Sequence, residues 1–267
     1  MPENGVFVKG RKVRIQLDKK EIRFLYGVVI VLDLLILFMN TPWMSLPTPP
    51  EGHPARLTSV FDFVKYQLDL RAEQNVGTWY SSVILLAAGV TAVLNWWYVP
   101  MVRRLRWLHR AGWACMAIVL IGLSADETAT IHESLARLFN AMSEAGGRAP
   151  SYRIGAGDWI PILLPLMIVV AAGMLAFFLY QFRSNKAVLL LALGGTVFWI
   201  SALFAESIEA GTTRVVMARV TEGFIEEGCE VVGTTCLLIA FTEFLHRQQS
   251  ANESEPSESK KKFRVAR

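Results

Sequence analysis

Six apolar runs constrain this chain more than any other feature, at about 24–40, 78–101, 107–135, 159–182, 187–209 and 222–246. Each is long enough to cross the roughly 30 Å hydrocarbon core of a bilayer as a helix. A segment in hydrocarbon has no water for its N–H and C=O groups, so it must close its own hydrogen bonds. The expected fold is therefore all-α, an integral membrane bundle of six transmembrane helices. Composition agrees, with 53% of the 267 residues hydrophobic and 19% charged. The net charge of +4 comes largely from tails and short loops, so it bears on membrane orientation; no nucleic-acid module is visible. Cys115, Cys229 and Cys236 all lie in apolar runs, where free thiols act as small hydrophobes.

Residues 1–23 form a basic segment expected to be cytoplasmic, and the first run follows it as an uncleaved span. Residues 41–57 are proline-rich, and 58–74 mix apolar and charged positions as an interfacial helix would. Trp96, Trp97 and Tyr98 suit a belt at headgroup level. The third run is expected to continue as an amphipathic helix through Leu135, Leu138 and Phe139. Residues 144–158, with Gly146, Gly147 and Pro150, read as a loop, and 247–267 as a disordered cytoplasmic tail. Lys and Arg alternate between loops as both termini in the cytoplasm require, with the 24–246 membrane domain between them.

Ionisable groups inside such runs need partners. Asp126, Glu127, His132 and Glu133 end the third run, Glu206 and Glu209 the fifth, and Glu222, Glu226, Glu227 and Glu230 begin the sixth. Counting about 1.5 Å per residue from the basic edges, Asp126 and Glu206 lie about 30 Å up, near the outer boundary. Glu230 lies about 24 Å up and Asp33 about 15 Å, near the midplane. By helical phase Glu226 and Glu230 share a face expected to meet the third and fifth spans, with Glu227 turned away. Asp126 and Glu133 share another face, flanked on opposite sides by Glu127 and His132. The candidate cluster is Asp126, Glu127, His132, Glu133, Glu206, Glu209, Glu226 and Glu230. A plainer reading exposes the first-turn acids of the sixth span to headgroup water or pairs them with Arg137, Arg214 or Arg219. Asp33 reads as a helix-packing or proton-relay group.

In these residues the chain resembles an uncharacterised family of bacterial polytopic membrane proteins with an Asp-Glu-x4-His-Glu motif and a Glu-rich last span. The likeness covers roughly residues 24–245 and is carried by 63–86, by 124–133 and by 222–233. It implies a shared architecture in a bacterial inner membrane and brings no activity with it.

The spacing excludes several chemistries. A carboxylate-bridged di-iron site takes two Glu-x-x-His pairs and the chain holds one, Glu243 with His246, while no two histidines stand at the spacing of a His-Glu-x-x-His zinc motif. A Gly-x-Ser-x-Gly elbow and an intramembrane lysine for retinal are also missing. What remains is an oxygen-rich site with one imidazole, suited to a divalent cation: Mg, Ca, Mn, or Zn if His132 joins. Three functions fit. One is a metal-dependent hydrolase or transferase acting on lipid headgroups; the others are a cation or proton-coupled transporter and a non-catalytic membrane partner subunit. The partners expected are membrane lipids, with a membrane-protein partner or a homo-oligomer in the third case.

Overall fold

The computed structural model describes residues 18–41, 59–70, 75–98, 106–145, 160–209 and 216–254. These form eight helices: α1 (Lys19–Met39), α2 (Val60–Leu68), α3 (Val76–Tyr98), α4 (Arg106–Ala129), α5 (Ile131–Ala145), α6 (Ile160–Phe182), α7 (Lys186–Glu209) and α8 (Val216–Ser254). No strand occurs among the described residues. Six helices, α1, α3, α4, α6, α7 and α8, are long and apolar enough to cross a membrane.

Local chemistry sets the helix ends, and in places it moves them. Asp18 and Glu21 close a capping box, with Lys20 N donating to Asp18 Oδ1 (3.2 Å) and Asp18 N to Glu21 Oε2 (3.4 Å). The first helix therefore starts inside the basic segment assigned to 1–23, at Lys19. The α2 helix, capped by Ser59, is shorter than the 58–74 expected for it. The third run does not continue unbroken through 135, because the helix breaks at Thr130. At 39 residues, or about 58 Å, α8 outruns any bilayer core. Its helix includes 247–254, which the sequence assigned to a disordered tail. Gln248 Nε2 donates to Asn95 Oδ1 of α3 (3.2 Å), and Arg247 pairs with Glu243 one turn back (2.9 Å). The loop expected at 144–158 lies mostly outside the described residues.

Small residues decide which spans touch. Helices in lipid gain little from hydrophobicity, since lipid tails are as apolar as leucine, so close van der Waals packing and hydrogen bonds join them. The antiparallel pair α7–α8 crosses at Gly195 and Gly233. A Cβ on Gly195 would stand 2.7 Å from Gly233 O, and one on Gly233 would stand 2.8 Å from Trp199 Cδ1. The α3–α4 pair closes through Ser82 and Ser124, each hydroxyl donating to the other's carbonyl at 2.8 Å. Below it, a Cβ on Gly89 would collide with Ile121. The central helix α8 packs on α7, α3 and α1.

The first span joins the bundle by a narrow seam. Ile22, Tyr26, Val29, Asp33, Ile36 and Asn40 follow a heptad spacing, and much of the helix's remaining apolar surface is exposed. Every seventh residue of that seam is polar and hydrogen-bonded. Tyr26 donates to Ile239 O (3.4 Å), Asp33 accepts from Tyr80, and Asn40 donates to Leu68 O (2.6 Å) while accepting from Leu70 N (2.9 Å).

One end of the bundle is filled by aromatics. Trp113 of α4, fully buried, meets Phe177 (5.3 Å between centroids) and Phe182 (6.0 Å) of α6, and Phe241 (5.0 Å) and Phe244 (5.7 Å) of α8. This anchors α4 and α6 to α8 at the end opposite the acidic groups.

Candidate functional site

The acidic residues gather by backbone position at one end of the bundle. Ser82 pairs with Ser124 and Leu37 lies against Gly228, so the C-terminal ends of α1 and α4 share that end with the N-terminal turns of α3 and α8. The C-terminal end of α7 joins them through the Gly195–Gly233 crossing.

The corner between α4 and α5 is built around Asp126. Its carbonyl accepts Thr130 N (2.7 Å), completing the last turn of α4, and Thr130 then adopts φ 46°, a left-handed conformation costly for a β-branched residue. The chain turns, and the Asp126 carboxylate takes two donors from one residue of α5. Oδ1 accepts His132 N (2.8 Å), as an N-cap would, and Oδ2 lies 2.6 Å from His132 Nδ1. A carboxylate there places the ring proton on Nδ1 and makes Nε2 the basic nitrogen. Both side chains keep partial access, 30% for His132 and 23% for Asp126. Glu127 faces Ser81 of α3 and lies within electrostatic reach of Asp126 and His132.

The other candidates divide. Glu226 and Glu230 are partly buried and continue, by helical register, the stripe of Gly233 and Leu237 that packs on α7. The helices packed most closely on α8 along its length are α7, α3 and α1. Glu227 lies on a different seam. It is as partly buried as its neighbours and heads a seam of Val231, Thr234, Leu238 and Phe241, all buried. The side chains of Glu133, Glu206, Glu209 and Glu222 lie outside the described residues. Among the described residues no three His, Cys, Asp or Glu side chains converge as a metal would need.

Two buried polar contacts had no role in the sequence reading. Asp33 meets Tyr80 (2.5 Å), and the heptad spacing of Tyr26, Asp33 and Asn40 was the signal that could have found it. His109, read as standing alone, is buried with Nδ1 on Gln181 Oε1 and Nε2 3.4 Å from Tyr180 Oη. No local pattern links positions so far apart in sequence.

Fold and site together define a multi-pass α-helical membrane protein with an aspartate–histidine pair at one end of its bundle. The chain belongs to the family described as a domain of unknown function (DUF8692), whose family model matches residues 24–244. No curated protein and no solved structure matches it.

Proposed function

We propose that the protein is a membrane-embedded enzyme in which His132, oriented by Asp126, acts as a general base on a substrate at lipid-headgroup depth. The observation that carries this is the double grip of Asp126 on His132 N and Nδ1 across a strained corner. A carboxylate that fixes the tautomer and orientation of a partly exposed imidazole is the arrangement acid–base catalysis needs, and local strain is characteristically kept at working sites. Glu127, close by and facing Ser81, supplies a second carboxyl for proton exchange. Water activated by His132 would attack the headgroup ester, a hydrolysis; an alcohol in its place would make the reaction a transfer.

A divalent cation on His132 Nε2, with Asp126 as the orienting partner and not a ligand, is the competing reading of the same corner, because it would occupy the nitrogen that general-base catalysis needs. Among the described residues no three His, Cys, Asp or Glu side chains converge to hold one.

The test is lipid analysis by mass spectrometry after incubating purified protein in vesicles of mixed zwitterionic and anionic phospholipids. Headgroup release or exchange should fall on the order of 100-fold or more in His132→Ala. Elemental analysis, with a chelator arm, decides the cation. Identical lipid profiles with wild type and His132→Ala would reject the enzyme and return the protein to transport or to a partner-subunit role.

A further inference from the structure

Two-thirds of the way along α1, Asp33 is 5% exposed. Its Oδ1 accepts from Tyr80 Oη of α3 at 2.5 Å, and that hydroxyl also lies 3.2 Å from Val29 O. Thr235 and Cys236 of α8 face the same carboxyl. Thr235 is itself 5% exposed, and its Oγ1 completes no hydrogen bond of normal geometry although it lies near enough to the Asp33 carboxyl to stabilise its charge. Thr91, Thr196 and Thr242 return their hydroxyls to the carbonyl four residues back, at 2.8, 2.9 and 2.8 Å. Thr235 does not, which leaves an unpaired hydroxyl beside the buried carboxyl. Among the described residues no Lys, Arg or His pairs with Asp33. The titratable groups facing it are Tyr80 from α3 and Cys236 from α8; Tyr26, one heptad away on α1, is spent on Ile239 O.

A carboxylate at membrane depth cannot be held by hydroxyl donors alone, so its charge has to be balanced from outside the chain. We propose that Asp33, Tyr80 and Thr235 form an intramembrane binding site for a small monovalent cation, a proton or a sodium ion. One negative charge calls for one positive charge, and a divalent ion would leave an uncompensated charge in hydrocarbon. A proton on the carboxyl is donated to Thr235 Oγ1, giving the orphan hydroxyl a partner while Tyr80 keeps donating to Oδ1. A sodium ion instead draws on the carboxylate and on the hydroxyl oxygens of Thr235 and Tyr80, all hard donors. The site lies on α1, α3 and α8, apart from His132, and stands whether or not the headgroup chemistry does.

A membrane-soluble carbodiimide tests it in proteoliposomes. The carboxyl O–H adds across one C=N bond to give an O-acylisourea, which rearranges to a stable N-acylurea with no atom lost. Mass spectrometry should then find the whole reagent on Asp33, and nothing at this position in Asp33→Asn. For a proton, labelling falls as pH rises and ignores sodium; for sodium, labelling falls when sodium replaces choline at constant pH. Thr235→Val keeps the shape and should shift the half-protecting proton or sodium concentration by roughly tenfold, which carries the test if Asp33→Asn does not fold. Labelling that responds to neither pH nor sodium overturns the proposal. So does an unlabelled Asp33 whose infrared carboxylate band is unchanged by both.

Discussion

Asp126 does two jobs with one carboxylate, and substitutions can separate them. It ends one helix and begins the next by accepting His132 N, and it orients the imidazole through Nδ1. In Asp126→Ala both donors lose their acceptor, so stability should fall by about 1–3 kcal/mol, read as a lower Tm in detergent. In Asp126→Asn the amide oxygen can still cap His132 N, but its NH2 group meets Nδ1 as a donor and forces the opposite tautomer. That variant should melt near wild type yet lose headgroup turnover, and equal loss of both properties would reduce Asp126 to a structural cap. Thr130 is the reciprocal case. Its φ of 46° suits glycine, so Thr130→Gly should raise Tm by relieving about 1 kcal/mol of strain; a fall in Tm would show that the threonine side chain holds the corner.

Whole helices are placed by the absence of side chains as much as by their presence. Gly195 and Gly233 let α7 and α8 touch backbone to backbone, and neither tolerates a methyl group without the helices separating. Gly195→Ala and Gly233→Ala should each cost about 1–3 kcal/mol, the usual range for overpacking. Gly194, next in sequence, has nothing within 4 Å of its missing Cβ, so Gly194→Ala should be neutral or gain about 0.5–1 kcal/mol from helix propensity. Thermal unfolding of the three variants side by side checks the register of the pair. A Gly194 variant as damaged as Gly195 would mean that α7 is rotated by one residue. On α1, Asn40 plays the opposite part, since its amide ties the helix to Leu68 O and Leu70 N.

At the scale of the molecule, the start of α1 and the end of α8 lie at the same end of the bundle, since Tyr26 meets Ile239 and Leu37 lies against Gly228. The alternation of Lys and Arg predicts that end to face the cytoplasm, with the Asp126–His132 corner at the outer face. An inactive C-terminal alkaline phosphatase fusion together with a fluorescent C-terminal reporter is the expected result. The reverse pattern would place the corner inside the cell and change which leaflet His132 can reach. The exposed apolar stripe of α5, formed by Ile131, Leu135, Leu138 and Met142, suits a helix lying in the interface beside that corner.

Hydropathy alone determined that the spans are helices and roughly where they lie, because burial in lipid demands long apolar runs whatever their neighbours. It ran the third past the end of α4 at Ala129, however, and stopped the sixth short of the end of α8 at Ser254. The same reading found the ionisable groups, since charge in such runs is conspicuous. Helix phase was less reliable. It set Glu227 on a different face from Glu226 and Glu230, but a single helix cannot show that the seam it heads, through Val231 and Thr234, is buried as well. The break at Thr130 was hidden because it depends on a carboxylate reaching six residues ahead to a backbone N–H. Asp33 stayed outside the expected cluster because one acid in an apolar run reveals nothing of Tyr80 or Thr235, which reach it from helices 47 and 202 residues away. Only the packing of α1, α3 and α8 brings those hydroxyls to one carboxyl, and that packing follows from where small side chains let backbones approach.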